Sequence, residues 1–254
     1  MITTYQALTM GQYQEIDRIT RTGGDELEVQ VAILSILTGK PEAELLRLPL
    51  PEYTDLAGKS TFLRQPIAEV PKVRKEYALG EWRLRPCQDY RKLTAGQYID
   101  FQAFTKDTLD FCGLLSVLMV PEGRTYAEGY DPLEVRAAIA DHLPMPDGMA
   151  LIAFFFEAVR RINSGYPNLL RKRPSPGEGQ GDEGQDTSQD RPGPDTFESR
   201  WGWIENVNQV AEVQGLTWDQ VLGKPALEFL NTMAFLRDRR EWEKAELDKW
   251  KKTH

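Results

Sequence analysis

The sequence predicts a mainly α-helical protein: a pseudo-duplicated helical module with one small β-hairpin, then a flexible linker and a C-terminal helical hairpin. Three observations lead there. Apolar residues recur at helical spacing through most of the chain. One interval, residues 75–90, alternates polar and apolar instead. A third stretch, residues 171–197, is rich in Pro, Gly, Asp, Gln and Ser and almost empty of aliphatic side chains. The expected domains are a helical module at 1–170 with its hairpin near 76–86, a disordered acidic linker at 171–196, and a small helical C-terminal module at 197–254.

The elements follow in order. "LTMGQY" at residues 8–13 places Thr9 three residues before Gln12. In this capping-box spacing the Thr hydroxyl accepts from the amide three residues on, and the Gln side chain reaches back to the Thr amide, so a helix starts here. "DELEVQVAILSIL" (25–37) puts Leu27, Val31 and Leu34 on one helical face with Ile33 and Leu37 beside it. Gly39 suits a helix end, and Pro41 suits the first turn of the next helix, "PEAELLRL". "PEYTDLAGKSTFL" reads as helix too. In "KEYALGEWRLRPCQDY", Tyr77 and Leu79 alternate before a turn at Gly80, and Trp82 and Leu84 alternate after it.

The second half repeats the grammar. "LTAGQY" at 93–98 is a capping box on Thr94 and Gln97, and helices follow through "AGQYIDFQAFTKDTLDFCGLLSVLM" and "DPLEVRAAIADHL". From Asp147 to about Ile162 the chain is apolar almost all round, as a central core helix would be. Beyond the linker, "FESRWGWIENVNQVAEVQG" and "PALEFLNTMAFLRDRREWEKAELDKW" read as two helices joined by a short helical turn, itself capped by Thr217 and Gln220. The last helix is apolar in its first half and charged in its second, where Trp242, Leu247 and Trp250 are the only large apolar residues.

The two hexapeptides share more than a cap. Each leads a capped helix, an apolar helix, a Gly/Pro turn, an amphipathic helix and a Pro-x-Pro-acid turn, at Pro49 to Glu52 and again at Pro144 to Asp147. This order favours duplication. The alternative is two unrelated helical hairpins with a common cap. Gly11 and Gly96, and Tyr13 and Tyr98, match without a capping reason.

Composition narrows the function classes. A formal charge of −8 argues against a bulk nucleic-acid binder, which needs a basic face. Between Arg173 and Thr196, two basic residues and six acids give a net −4, so self-repulsion should extend the linker. Cys87 and Cys112 have no metal or disulfide spacing, and Cys112 lies in an apolar run as a core residue would. His142, beside the terminal His254, is placed to cap a helix C-terminus rather than to serve a nucleophile. "AGKST" at 57–61 copies the end of a phosphate-binding loop, but Tyr53 stands where such a loop needs Gly. No catalytic residue, cofactor or metal is expected. An enzyme built on a carboxylate pair would need acids converging in an apolar pocket. The opening residues lack the basic and apolar regions of a signal peptide, and "MALIAFFFEAVRRI" falls far short of the roughly 20 apolar residues of a membrane span. A soluble cytosolic protein is the expectation.

Three stretches together resemble the tail assembly chaperones encoded by tailed bacteriophages. They are "LTMGQYQEI…DELEVQVAILSILTGKPEAELLRLPLPEY", "LTAGQYIDFQAF…LLSVLMVPEG…YAEGYDPLEVR" and "RWGWIENVNQVAEVQGLTWDQVLGKPALEFLNTMAFLRDRREWEK". The resemblance is one of pattern and spans most of the chain. It implies a non-catalytic helical protein of the infected host cytoplasm that binds tape measure or tail tube proteins, or itself. It also implies a family whose members often occur in short and frameshift-extended forms. The alternative is a structural tail or head-tail adaptor retained in the virion. Under either reading the partner-binding residues expected are the aromatics Trp201, Trp203, Phe229, Phe235, Trp242 and Trp250, which cluster in a segment too small to bury them all. Neither nucleic acid nor membrane is an expected partner.

Overall fold

The computed structural model describes residues 1–67, 70–105, 110–126, 128, 130–166 and 197–253, with the side chains of all but 197–201. The expected linker at 171–196 lies outside the described residues, as does His254. The chain is mainly α, with one small antiparallel sheet and a helical C-terminal part. It divides into two compact units. One is Met1–Tyr90 with Asp100–Ala158; the other is Arg91–Ile99 with Val159–His254.

In the first unit, α1 (Met10–Thr22) is capped by Thr9 as expected: Thr9 N–H donates to Gln12 Oε1 at 3.0 Å, and Gln12 N–H to Thr9 Oγ1 at 3.3 Å. α2 (Glu26–Thr38) starts at Asp25, whose carboxylate accepts from Leu27 N–H at 2.9 Å, and stops at Gly39 in the left-handed region (φ 70°). It buries Val31, Leu34 and Leu37, while Leu27, at the exposed first turn, stays in solvent. Two further helices, α3 (Glu42–Leu45) and α4 (Leu50–Lys59), fold back so that Leu45, Leu48, Tyr53 and Leu56 pack on Val31 and Leu34. The "AGKST" stretch is the end of α4 running into a 3₁₀ turn, and Lys59 pairs with Asp55 at 2.6 Å.

The hairpin is β1 (Tyr77–Leu79) and β2 (Trp82–Pro86), with Leu79 opposite Trp82 and Gly80 at φ 59°. A third strand, β3 (Met119–Pro121), pairs antiparallel with β2, Leu84 facing Pro121. It takes the last residues of an apolar run that reads as helix throughout. The stretch from 95 breaks into α5 (Ala95–Phe104) and α6 (Phe111–Leu118). The α6 N-terminus is held by Asp110, which accepts from Gly113 N–H at 2.9 Å, and by Gln14 of α1, which accepts from Cys112 N–H at 2.8 Å. α7 (Pro132–His142) is capped by Asp131 and packs on α1 and α6.

α8 (Met145–Ser164) buries Leu151, Ile152, Phe155, Ala158, Val159 and Ile162, but Phe154 and Phe156 remain exposed, so it is not enclosed all round. In the second unit, α9 (Phe197–Gln214), α10 (Trp218–Leu222) and α11 (Ala226–Thr253) form the expected pair of helices with a capped helical turn between them.

The repeated hexapeptide has a structural role beyond its cap. Met10 N–H donates to Leu143 O at 2.9 Å and Met145 N–H returns to Leu8 O at 2.8 Å, setting Thr9 opposite Pro144. In the second unit Ala95 N–H donates to Lys224 O and Ala226 N–H to Leu93 O, both at 2.7 Å, setting Thr94 opposite Pro225. Each time, the first amides of two helices, which a helix leaves without internal partners, satisfy each other's flanking carbonyls. Proline suits the facing position because it brings no N–H of its own. The bridges thus also relate Pro144 to Pro225, and each pair lies within one compact unit. The second bridge accounts for the second unit's claim on residues 91–99.

Close approach explains one of the unassigned matches. A Cβ at Gly11 would stand 2.8 Å from Ala140 O and 2.9 Å from Ala140 Cβ, so α1 and α7 touch backbone to backbone. A Cβ at Gly148 would run into Met10 Sδ. At the equivalent places in the second unit the sizes are exchanged: Ala95 stands for Met10 and Phe229 for Gly148, both fully buried.

Gly11→Ala should lower stability by about 1–3 kcal/mol, the usual cost of overpacking, because the obstructing atoms are backbone. Gly58→Ala, in α4 with nothing within 4 Å of the new methyl, should raise it by up to about 1 kcal/mol. Urea unfolding of both variants measures the contrast, and equal effects would refute the close approach.

Candidate functional site

The second unit builds its core from one end of its helices. Val207, Val210 and Ala211 of α9, Val221 of α10, and Ala226, Phe229, Leu230 and Leu236 of α11 are buried. Trp203 packs edge-on to Tyr98 at 5.8 Å between ring centroids and lies 6.4 Å from Phe229. Tyr98 O–H donates to Asn163 Oδ1 at 2.8 Å, which gives the repeated tyrosine of the second hexapeptide a polar anchor inside this core.

The six expected docking aromatics therefore separate. Phe229 is fully buried and offers no surface; the burial that removes it is the contact of α11 with α9. Trp203 is half-buried in the same core. The Trp201 side chain lies outside the described residues. Phe235, Trp242 and Trp250 are 59%, 65% and 59% exposed. Trp218, which the sequence did not mark, is also exposed, with its indole N–H on Asn208 Oδ1 at 3.3 Å.

The three exposed aromatics share one face. At about 100° per residue, Phe235, Trp242 and Trp250 fall within an arc of about 80°, whose Trp250 edge lies about 40° from the buried Leu236. From Asp238 to Thr253 every residue of α11 is exposed, a length of about 24 Å at 1.5 Å per residue. This half-helix carries ion pairs between successive turns, Arg237 with Glu241 at 3.1 Å, Arg239 with Glu243 at 3.2 Å and Lys249 with Glu246 at 2.7 Å. Each contributes about 0.3–0.5 kcal/mol.

Polar chemistry elsewhere is sparse. Among the described residues the one buried carboxylate is Asp147, in the first turn of α8, with 7% of its side chain exposed. Its Oδ2 lies 3.3 Å from Arg74 Nη2, and its Oδ1 has no hydrogen-bond partner. It borders an open cavity of about 370 Å³ walled by Val70, Pro71, Pro144 and Pro146. Among the described residues no second carboxylate lines that cavity. A second cavity of about 370 Å³ lies between α1, α2 and the turn at Ser60–Arg64, with Ile16, Val29, Ile33 and Leu63 for walls. His142 is exposed at the end of α7, beside Gly80 of the hairpin turn. Cys112 is buried, and that burial pushes its thiol up to about 12, so it stays protonated. Among the described residues no group of three or more His, Cys, Asp or Glu side chains could hold a metal ion, and no helix is long and apolar enough to cross a membrane.

Comparison with protein-family models, with curated proteins and with solved structures finds no match to this chain.

Burial pushes the Asp147 carboxyl above the usual carboxylate range, and Arg74 pulls it back only in part. The fold thus favours the protonated form. That stabilisation is complete below the ordinary value of 3.8 and is lost as pH climbs through the raised one. Asp147→Asn should remove this dependence: its melting temperature relative to the parent should rise as pH goes from about 4 to 7. A difference that stays flat across the range would show that Asp147 is not held in this way.

Proposed function

We propose that the chain is a non-catalytic tail assembly chaperone of a tailed bacteriophage, binding tape measure or tail tube proteins in the host cytoplasm during virion morphogenesis. The observation that carries the reading is the aromatic face of α11: three large rings are exposed, two of them on a half-helix none of whose side chains is buried. Large apolar side chains grouped on one exposed face mark an interaction surface. The rings also have the composition of binding hot spots, where tryptophan supplies wide apolar contact at low entropic cost. Around them the charges are mixed, so a partner must offer apolar area first and charge second.

The mechanism is capture of an apolar segment before it aggregates. A client helix would lie along the aromatic face of α11 and cover Phe235, Trp242 and Trp250 together. The cavity between α1 and α2, lined by Ile16, Val29, Ile33 and Leu63 but also by Asp17, Glu26 and Arg64, gives the first unit a second surface of mixed character.

Co-expression with a tape measure fragment tests the reading. The full chain should raise the fragment's solubility and co-purify with it, and Trp242→Ala should cut the yield of complex at least tenfold. Because Trp242 is exposed, the same substitution should change stability by no more than about 0.5 kcal/mol. A fragment equally soluble with and without the chain would end the chaperone reading. Recovery of the chain in stoichiometric amount from purified particles would favour a structural virion component instead.

A further inference from the structure

We propose that the aromatic face of α11 also pairs with the same face of a second copy of this chain, as two antiparallel helices about a two-fold axis between Trp242 and Glu243. The inference rests on reading that face as a docking surface and names one occupant for it. A two-fold interface must be self-complementary, so that whatever residue i meets, its equivalent meets in return. The charge pattern of α11 has that property. Arg239 and Glu246, of opposite sign, stand equally far from the axis on either side. A parallel arrangement in register would set every charge against itself.

The rings follow the same symmetry. Phe235 and Trp250 are equidistant from the axis, so each Phe235 meets Trp250 of the second copy, and the two Trp242 side chains meet at the centre. Arg239 and Glu246 lie on the same face as the rings, between the central Trp242 and the outer aromatics. They are the charges brought into direct contact. Arg239 and Glu246 are now bonded to Glu243 and Lys249 of their own helix, exposed pairs that rearrange at little cost. Antiparallel alignment also opposes the two helix dipoles favourably.

The size of the contact sets its strength. Three rings a side, each more than half exposed, would remove roughly 600–900 Å² from water in all, at 100–150 Å² per ring. That is below the roughly 1,200 Å² of a stable interface, so the dimer should be weak and concentration-dependent.

Sedimentation velocity on the full chain, from micromolar to millimolar concentration, reads it directly. The expected result is a monomer–dimer equilibrium. Arg239→Glu and Glu246→Arg should each weaken the dimer about tenfold. Arg239→Glu combined with Glu246→Arg should restore it, because both contacts re-form with their signs exchanged; far-UV dichroism confirms that the helix persists. A chain monomeric at every concentration, or a double variant as monomeric as the single ones, overturns the pairing. Client capture by the same proteins separates the two readings. A monomeric parent whose capture still needs Trp242 sinks the pairing alone, and a dimer whose Trp242→Ala variant still captures client sinks the client reading of this face alone.

Discussion

The fold depends on joining helix starts in pairs. A helix N-terminus presents backbone amides without internal acceptors and a partial positive charge, so two of them placed together would repel and compete for water. Here the threonine cap satisfies its own helix through Gln12 or Gln97, and the remaining first amide is passed across to the carbonyl before the partner helix. An acid stands in the first turn of each proline-headed helix, Asp147 in one unit and Glu228 in the other. Two reciprocal hydrogen bonds, each worth about 0.5–1.5 kcal/mol net, thereby fix the junction around which each unit packs.

Much of this was legible locally. The caps at Thr9, Thr94 and Thr217, the stops at Gly39 and Gly80, and the helix after Asp131 depend on neighbours within four residues, and short-range chemistry is written in short stretches of sequence. What failed to show was long-range. Met119, Val120 and Pro121 continue an apolar run, and only the free edge of β2 turns them into a strand. The repeat was visible, yet the pairing of its cap with a distant proline was not, because Thr9 and Pro144 carry no mutual signal until backbone pairing sets them side by side. The candidate site divides the same way. Trp242 and Trp250 stand out in a charged half-helix, whereas Phe229 and Phe235 are near neighbours of one chemistry, and only the packing of α9 decides which is covered.

The second unit separates its tasks along one helix. The first turns of α11 supply the core through Phe229, Leu230 and Leu236, and the rest carries rings that no core absorbs. Since no described side chain of the exposed half is buried, its sequence is free to vary without loss of fold. The ion pairs between successive turns help keep it helical.

The bridge between Thr94 and Pro225 also imposes an order in time. On a ribosome, Leu93 and Ala95 emerge long before Lys224 and Ala226, so the second unit cannot close its first junction until nearly all of α9 and α10 has been made. Until then Leu93, Ala95 and Tyr98, all buried in the finished protein, have no cover from that side. The first unit can complete its own junction as soon as Leu143 and Met145 appear. A nascent chain thus passes through a stage in which one unit is finished and the other is a single capped helix awaiting its partner.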